Sequence, residues 1–474
     1  MKNNTTNTTP SHPVGAHYAP KNGKSGSSHG GAYYAPKRTW ADHIFAGDKA
    51  MWVVIVVLLI YSLFVVYSTT AYDVTLNANQ ELTKQLMFIG LGMVGFFFIQ
   101  ALNWRFYRPL IKFLYWASII LTVLMIVIHD GDNAARSLPI GSFDFQPFEM
   151  LKISVILLLA DRLARRQKNL DKIDIVPSLS PKQWKQDPQK QKMTLLDHTI
   201  PVLGPIVLAC CITIIISNST TFIIAISCLL MLFIGRVKSS DLRKIILLGV
   251  VVGGLALVGI KLINSATKSN KQKAQTEQVE QSKGGANNIG RLATLFGRFE
   301  GYSPNVIRKS TKTEPDGKEY YDKPEHELDQ TMYAKMSIAS GGLTGKGPGQ
   351  STNRYLQEAD KDMAYAFLIE EYGLFFGGVV ILLAFLIMFY RGIEIFKKCG
   401  TAFPGLAVLG VVTAIVLQAF LHMLVSVSLL PVTGQQLPIV SRGGSSLIFT
   451  LASLGLVMGI SARANDGTLD KKRR

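Results

Sequence analysis

The sequence predicts an all-α polytopic membrane protein, and three observations carry that prediction. Apolar residues make up 48% of the 474-residue chain and charged residues only 17%, against about 25% charged in ordinary globular domains. The apolar residues fall into ten segments, near 50–69, 85–102, 109–128, 148–162, 199–216, 219–235, 245–263, 364–390, 402–430 and 445–462. Most of these reach the ~20 residues that a helix needs to cross the hydrocarbon core. The third observation is charge. A net +18, from 50 Lys and Arg against 32 Asp and Glu, suits either a nucleic-acid binder or a membrane protein with charges sorted by side.

Taken in order, residues 1–45 are rich in Gly, Ser, Asn, Thr and Pro without apolar periodicity. That composition predicts a disordered cytoplasmic tail. Its short repeat, Tyr18-Ala-Pro-Lys21 and Tyr34-Ala-Pro-Lys37, is read as part of a solvated tail ahead of a partner motif. No signal-peptide pattern precedes the first apolar run, so no cleavage is expected. Residues 46–264 hold the first seven predicted spans. The fourth is short, and only the polar knot Ser217-Asn-Ser-Thr-Thr221 separates the fifth from the sixth. Backbone at bilayer depth must satisfy its own hydrogen bonds, so these segments are helices. Residues 265–363 form a large loop, 364–463 carry the last three spans, and 464–474 make a basic cytoplasmic tail.

The charges orient this layout. With both termini cytoplasmic, the inside segments hold 30 of the 50 Lys and Arg, whereas the four short outside loops hold only Lys84, Arg136 and Arg442. That is the positive-inside bias. The 265–363 loop carries 15 Lys and Arg against 13 Asp and Glu, and long loops translocate regardless of charge. The predicted topology is therefore ten helices with one large extracytoplasmic loop between helices seven and eight. The basic excess records topology and leaves no reason to expect nucleic acid. Four cysteines, at 210, 211, 228 and 399, lie in or beside apolar runs and lack Cys-x-x-Cys spacing, which excludes a disulfide scaffold and a zinc site.

Ionisable residues inside apolar segments are costly and mark functional candidates. Glu149 and Lys152 share one helical face at spacing i, i+3. They follow Arg136 and Gln146-Pro147. The group reads as a cavity for an anion, against the alternative of an ion pair that only packs one helix. Gly341-Gly-Leu-Thr-Gly-Lys346-Gly-Pro-Gly349 is not a Walker A motif, because the spacing is wrong and no strand precedes it. A pyrophosphate cradle made by its backbone N–H groups and a plain turn both remain open. Glu358, Asp360 and Asp362 sit directly before the eighth span. They are read either as a solvated helix start or as the source of a general base at the membrane surface. Glu370 and Glu371 lie about 12 Å further along the axis and are assigned to a separate site. Leu430-Pro-Val-Thr-Gly434 with the basic tail looks like a cell-wall sorting signal, but nine earlier membrane segments argue against that reading.

Together these clusters resemble the SEDS family (shape, elongation, division and sporulation proteins), the FtsW/RodA/SpoVE group, across nearly all of residues 46–463. The resemblance rests on Arg136, Gln146-Pro147…Glu149…Lys152, Gln330, Ser340-Gly-Gly-Leu-x-Gly-Lys-Gly347, Glu358-Ala-x-x-Asp362, Glu370-Glu371-x-Gly373, Gln418-Ala419, Leu430-Pro-Val-Thr-Gly434 and Leu437-Pro…Ser441-x-Gly-Gly-Ser-Ser446. Phe45-Ala-Gly-Asp48 and the Leu-Pro-Val-Thr-Gly wording lean toward the FtsW branch. The pattern departs at several positions. Only Thr221 survives of the family's Pro-Asp-x-Gly-Thr, Ser137 stands for Trp, Phe148 for Ser, His422 for Asn and Arg442 for Tyr. His422 is expected to bond to a neighbouring helix and not to a metal.

The resemblance implies a peptidoglycan glycosyltransferase that polymerises lipid II on the outer face of the cytoplasmic (inner) membrane during septal wall synthesis. Asp362 is the implied catalytic base. Substrate contacts are implied at Arg136, Gln146, Glu149, Lys152, Gln330, Lys346, Glu358, Ser445 and Ser446, with Arg442 adding a cation. A divalent cation (Mg or Mn) is the alternative to Lys346 in stabilising pyrophosphate charge. The implied partners are a class B penicillin-binding transpeptidase of FtsI type and other membrane proteins of the division complex. Three alternatives stay open at this point: a lipid II flippase, an elongation (RodA-type) polymerase, and a scaffold that only recruits the transpeptidase.

Overall fold

The computed structural model describes residues 45–72, 78–128, 137–140, 143–167, 175–177, 188–249, 311–313, 319–321, 326–351 and 361–465. The N-terminal tail with its Tyr-Ala-Pro-Lys repeat, most of the large loop and the basic C-terminal tail lie outside the described residues, as do Arg136, Glu358 and Asp360.

The chain is a helical membrane bundle. Its elements are α1 (Lys49–Tyr72), α2 (Ala78–Ala101), α3 (Trp104–Ile128), the strand pair β1 (Leu138–Ile140) and β2 (Phe143–Phe145), and α4 (Pro147–Arg166). A short α5 (Pro188–Thr194) runs through a π turn (Leu195–Thr199) into α6 (Ile200–Ile216), followed by α7 (Asn218–Ile234). Residues 239–249 form α8. The described part of the large loop holds β3 (Thr311–Thr313), β4 (Glu319–Tyr321) and α9 (His326–Gly341). The eighth expected span is α10 (Ala364–Gly373), a π turn (Leu374–Val379) and α11 (Val380–Lys398), and then come α12 (Ala402–Ser426) and α13 (Gly444–Asn465).

Seven helices among the described residues are long and apolar enough to cross a membrane. The fourth expected segment is longer than its apolar run. α4 continues through Asp161 to Arg166, because the buried Asp161 carboxylate is paired with Arg108 of α3 and with Arg165 at 2.8 Å. Charges that end an apolar segment on paper are here neutralised between helices. The seventh expected span is described only as far as residue 249.

Helix association in lipid depends on close van der Waals contact, which small residues permit. α2 and α13 illustrate it: a Cβ at Gly455 would lie 2.4 Å from the Phe96 carbonyl oxygen, so only glycine lets the two backbones meet. α12 is buried along almost its whole length and forms the centre of the bundle, with α4, α7, α11 and α13 against it.

Contacts between helix ends sort into two sets. At one end Asp48 pairs with Arg391, Arg108 with Asp161, and Lys244 with Asp241 (2.9 Å), whose other oxygen accepts the Ile175 N–H at 2.5 Å. Burial alone would raise the Asp48 carboxyl, but the Arg391 side chain and the Met51 N–H (3.0 Å) outweigh it and hold it below its ordinary value. At the opposite end lie the Glu81–Arg442 pair and every described member of the expected site.

Candidate active site

The site is assembled by the segment 435–446, between α12 and α13. Its backbone includes Ile439 at φ +69, a β-branched residue in the left-handed region, which an unconstrained chain avoids. Four anchors leave this segment. The Gln436 carbonyl accepts from Gln418 Nε2 at 3.0 Å, and Gln418 Oε1 accepts from Lys152 Nζ at 2.5 Å. Lys152 Nζ also reaches Glu149 Oε2 at 2.6 Å. Ser445 Oγ accepts the Gln146 N–H at 3.0 Å and donates to the Asp144 carbonyl at 2.9 Å. Ser441 Oγ donates to the Lys361 carbonyl at 2.7 Å. The Gln435 carbonyl faces His422 Nδ1 at 2.7 Å.

Each expected group is placed by its local sequence. Pro147 starts α4 at a position where its missing N–H costs nothing, with the extended Gln146 before it. Glu149 then sits in the first turn, where the helix dipole favours a carboxylate. Glu149 and Lys152 are both buried. Two of the three ammonium donors are used by Glu149 and Gln418. Asp362 is half-buried in the turn 361–363 that leads into α10. Ser445 and Ser446 are buried in the first turn of α13. Arg442 lies at the edge of the site, where its Nη2 pairs with Glu81 Oε2 at 2.6 Å. Gln330 lies half-buried on α9.

Lys346 and the glycine segment do something the sequence did not suggest. Helix eight, the span made of α10, the π turn and α11, is broken at Gly373, at φ +79, and the break frees backbone groups that must find partners. The glycine segment supplies them. Lys346 N–H donates to the Glu370 carbonyl (3.0 Å), Gly347 N–H to the Glu371 carbonyl (2.9 Å), and Leu374 N–H to the Gly342 carbonyl (2.9 Å). Lys346 Nζ binds Glu370 Oε1 at 2.7 Å, Ser351 Oγ donates to Glu370 Oε2 at 2.7 Å, and Glu371 is held by Ser68 and by Gly349 N–H at 3.1 Å. The close approach explains the glycines: a Cβ at Gly345 would stand 2.2 Å from the Glu371 carbonyl oxygen. The N–H groups expected to cradle a pyrophosphate are thus largely taken up by helix eight, and Glu370 and Glu371 form the separate buried site that their spacing suggested.

Among the described residues no three His, Cys, Asp or Glu side chains converge to hold the expected divalent cation.

The sequence and fold comparisons bear on this geometry. The FtsW/RodA/SpoVE cell cycle protein profile matches residues 48–282 and 318–466. The chain belongs to this family. Stage V sporulation protein E of Bacillus subtilis is 26% identical over 87% of this chain and 96% of its own length. The probable peptidoglycan glycosyltransferase FtsW of the same organism is 26% identical over 85% of this chain and 86% of its own. A chain in a solved peptidoglycan synthase complex, described as coordinating polymerization and crosslinking, superposes with a TM-score of 0.57 at 22% identity, covering 90% of this chain and 99% of that one. That likeness shows the shared fold.

Four participants in this family member's site were not singled out as site residues from sequence. Gln418 was visible as a polar residue in an apolar segment. Ser441 stood in the motif Ser441-x-Gly-Gly-Ser-Ser446 without an assigned role, and Gln435 gave no signal beyond its loop. Ser68 lies inside an apolar run, and its partner Glu371 is 303 residues away in sequence.

Proposed function

We propose that this chain is a peptidoglycan glycosyltransferase that polymerises lipid II at the outer face of the cytoplasmic membrane, with Asp362 as the base. The observation that carries the reading is the convergence of the Asp362 turn, the buried Glu149–Lys152 pair and Gln146 on the one segment 435–446. The name of the B. subtilis FtsW relative supports it.

In the proposed reaction the 4-hydroxyl of one lipid-linked disaccharide loses its proton to Asp362 and attacks the anomeric carbon of another. The bond from that carbon to the pyrophosphate oxygen breaks with inversion, and the polyprenyl pyrophosphate leaves. Lys152 offers its third N–H to the leaving oxygens, while Glu149 and Gln418 fix the ammonium. Arg136, with Gln146, Ser445 and Ser446 lining the approach, supplies further charge stabilisation. Preorganised donors aimed at developing charge are worth most in a dry site. Arg442 lies further out on Glu81. Gln330 and Glu358 are further proposed substrate contacts, and Lys346 holds the loop end in register.

The topology that accompanies this reading has ten spans, cytoplasmic termini and residues 265–363 outside. A class B transpeptidase of FtsI type is the natural partner, since the fold neighbour belongs to a complex that couples polymerization to crosslinking. The FtsW-like Phe45-Ala-Gly-Asp48 supports a role in division at the septum, with other division-complex proteins as neighbours.

The test is polymerisation of lipid II by the full-length chain with its transpeptidase. Asp362→Asn is expected to slow strand formation by roughly 10²-fold or more. A normal rate would remove Asp362 as the base, and lipid II left monomeric by the wild type would remove the polymerase reading.

A further inference from the structure

We infer that His422, together with Ser441, is a positioning residue that holds the Asp362 turn in place, a role that rests on the polymerase reading above. Two backbone groups flanking Asp362 are held by side chains. On the near side, Lys361 O accepts from Ser441 Oγ at 2.7 Å, and that hydroxyl in turn accepts the Leu437 N–H at 2.9 Å. On the far side is the Tyr365 N–H, one of the donors that a helix start leaves without an intrahelical partner. It donates to His422 Nε2 at 3.4 Å.

The imidazole is fixed from both sides. A neutral ring that accepts at one nitrogen must donate from the other, so Nδ1–H donates to the Gln435 carbonyl at 2.7 Å. His422 is fully buried, and water cannot substitute for either bond. The chain of hydrogen bonds continues: Gln435 Nε2 donates to Ser217 Oγ and to Thr220 Oγ1, each at 3.2 Å. Ser217 is the residue that caps α7. The turn that carries the base is therefore tied through α12 to the α6–α7 junction. Both clamps depend on 435–441, where Ser441 lies and where the Gln435 carbonyl orients His422, and that stretch contains Ile439 at φ +69. Strain of this kind persists only where the surroundings over-determine the backbone.

A base shifted by about 1 Å can lose up to roughly 10²-fold in rate, so loosening these clamps should lower kcat and leave KM little changed. Asparagine keeps a donor where Nδ1 stands and an acceptor on the same amide, whereas leucine keeps neither. The experiment measures kcat and KM for lipid II with the full-length chain in nanodiscs, the wild type first. His422→Leu is expected to lower kcat at least about tenfold with KM within about twofold, and His422→Asn to keep kcat within about threefold. An unchanged kcat in His422→Leu overturns the role, and so does an equal fall in both variants, which would mean only lost packing. Should His422→Leu fail to fold, Ser441→Ala, which removes one hydroxyl, decides the matter: its kcat is expected to fall at unchanged KM, and an undiminished kcat overturns the proposal. A wild type that leaves lipid II monomeric defeats the polymerase reading itself, and this role with it, whereas an active wild type with an active His422→Leu defeats this role alone.

Discussion

Lys152 and Glu149 show what a single charge costs in this fold. Each is buried and each satisfies the other, and removing one member of a buried pair strands its partner at a cost of about 3–5 kcal/mol. Lys152→Met should therefore lower the thermal unfolding midpoint in detergent markedly. The double variant Glu149→Gln with Lys152→Met should recover part of the loss, because neighbouring substitutions are not additive. Equal midpoints for wild type and Lys152→Met would show that the pair is not buried as described. Asp48 works in the opposite direction from a typical buried acid. Its folded carboxyl is held below the ordinary value of 3.8, so it contributes stability in full above that value, and the contribution is lost as pH falls through the lowered one. From about pH 5 to pH 3, wild type should lose stability more steeply than Asp48→Asn. Parallel curves would mean that Arg391 does not stabilise the carboxylate.

At the scale of elements, the break in helix eight and the glycine segment are one construction. Gly373 stands in the left-handed region and its carbonyl neighbours Glu370 and Glu371 are capped by loop N–H groups. Gly345 and Gly349 both have positive φ, +80 and +70, but only Gly345 is packed against helix eight, while nothing lies within 4 Å of a Cβ at Gly349. Gly349→Ala should thus cost about 1–2 kcal/mol of backbone strain. Gly345→Ala should cost clearly more, measured as unfolding midpoints side by side, and equal losses would show that the loop does not sit against the helix. The expectation of a phosphate cradle came from composition: glycines and a lysine mark close backbone approach, but they do not say what is approached. Here it is the backbone of helix eight.

For the whole molecule, the prediction concerns sides. Lys84 lies at the end of the bundle that carries the site, and Lys397 at the end that gathers Asp48 and Arg391. In a variant lacking the four native cysteines, Lys84→Cys should react in intact cells with a membrane-impermeant maleimide, and Lys397→Cys only after permeabilisation. The reverse pattern would invert the topology and put the site on the cytoplasmic face. With that labelling pattern the net +18 would have a mechanical meaning: basic residues near the anionic inner leaflet would hold the bundle in register, and the end bearing the site would be left for its own paired charges.

The helical membrane fold, the order of its segments and most candidate groups were determined by the sequence itself, since apolar runs of span length have few structures open to them in lipid. Glu149, Lys152 and Asp362 stood out for a related reason, as ionisable groups in or beside such runs. Segment ends were less legible, as α4 shows, because the arginines beyond residue 162 look like a stop until Asp161 is known to pair with Arg165 and with Arg108. The tertiary structure alone decided which faces meet. Lipid and protein interior are equally apolar, so nothing in the composition of α12 or α3 tells that one is enclosed and the other largely faces outward. It also decided that Lys346 serves Glu370, that Gln418 completes the Lys152 site, and that His422 and Ser441 flank the Asp362 turn. Those bonds join residues up to 266 positions apart, and spacing along a chain carries no record of contacts that only folding brings within 3 Å or so.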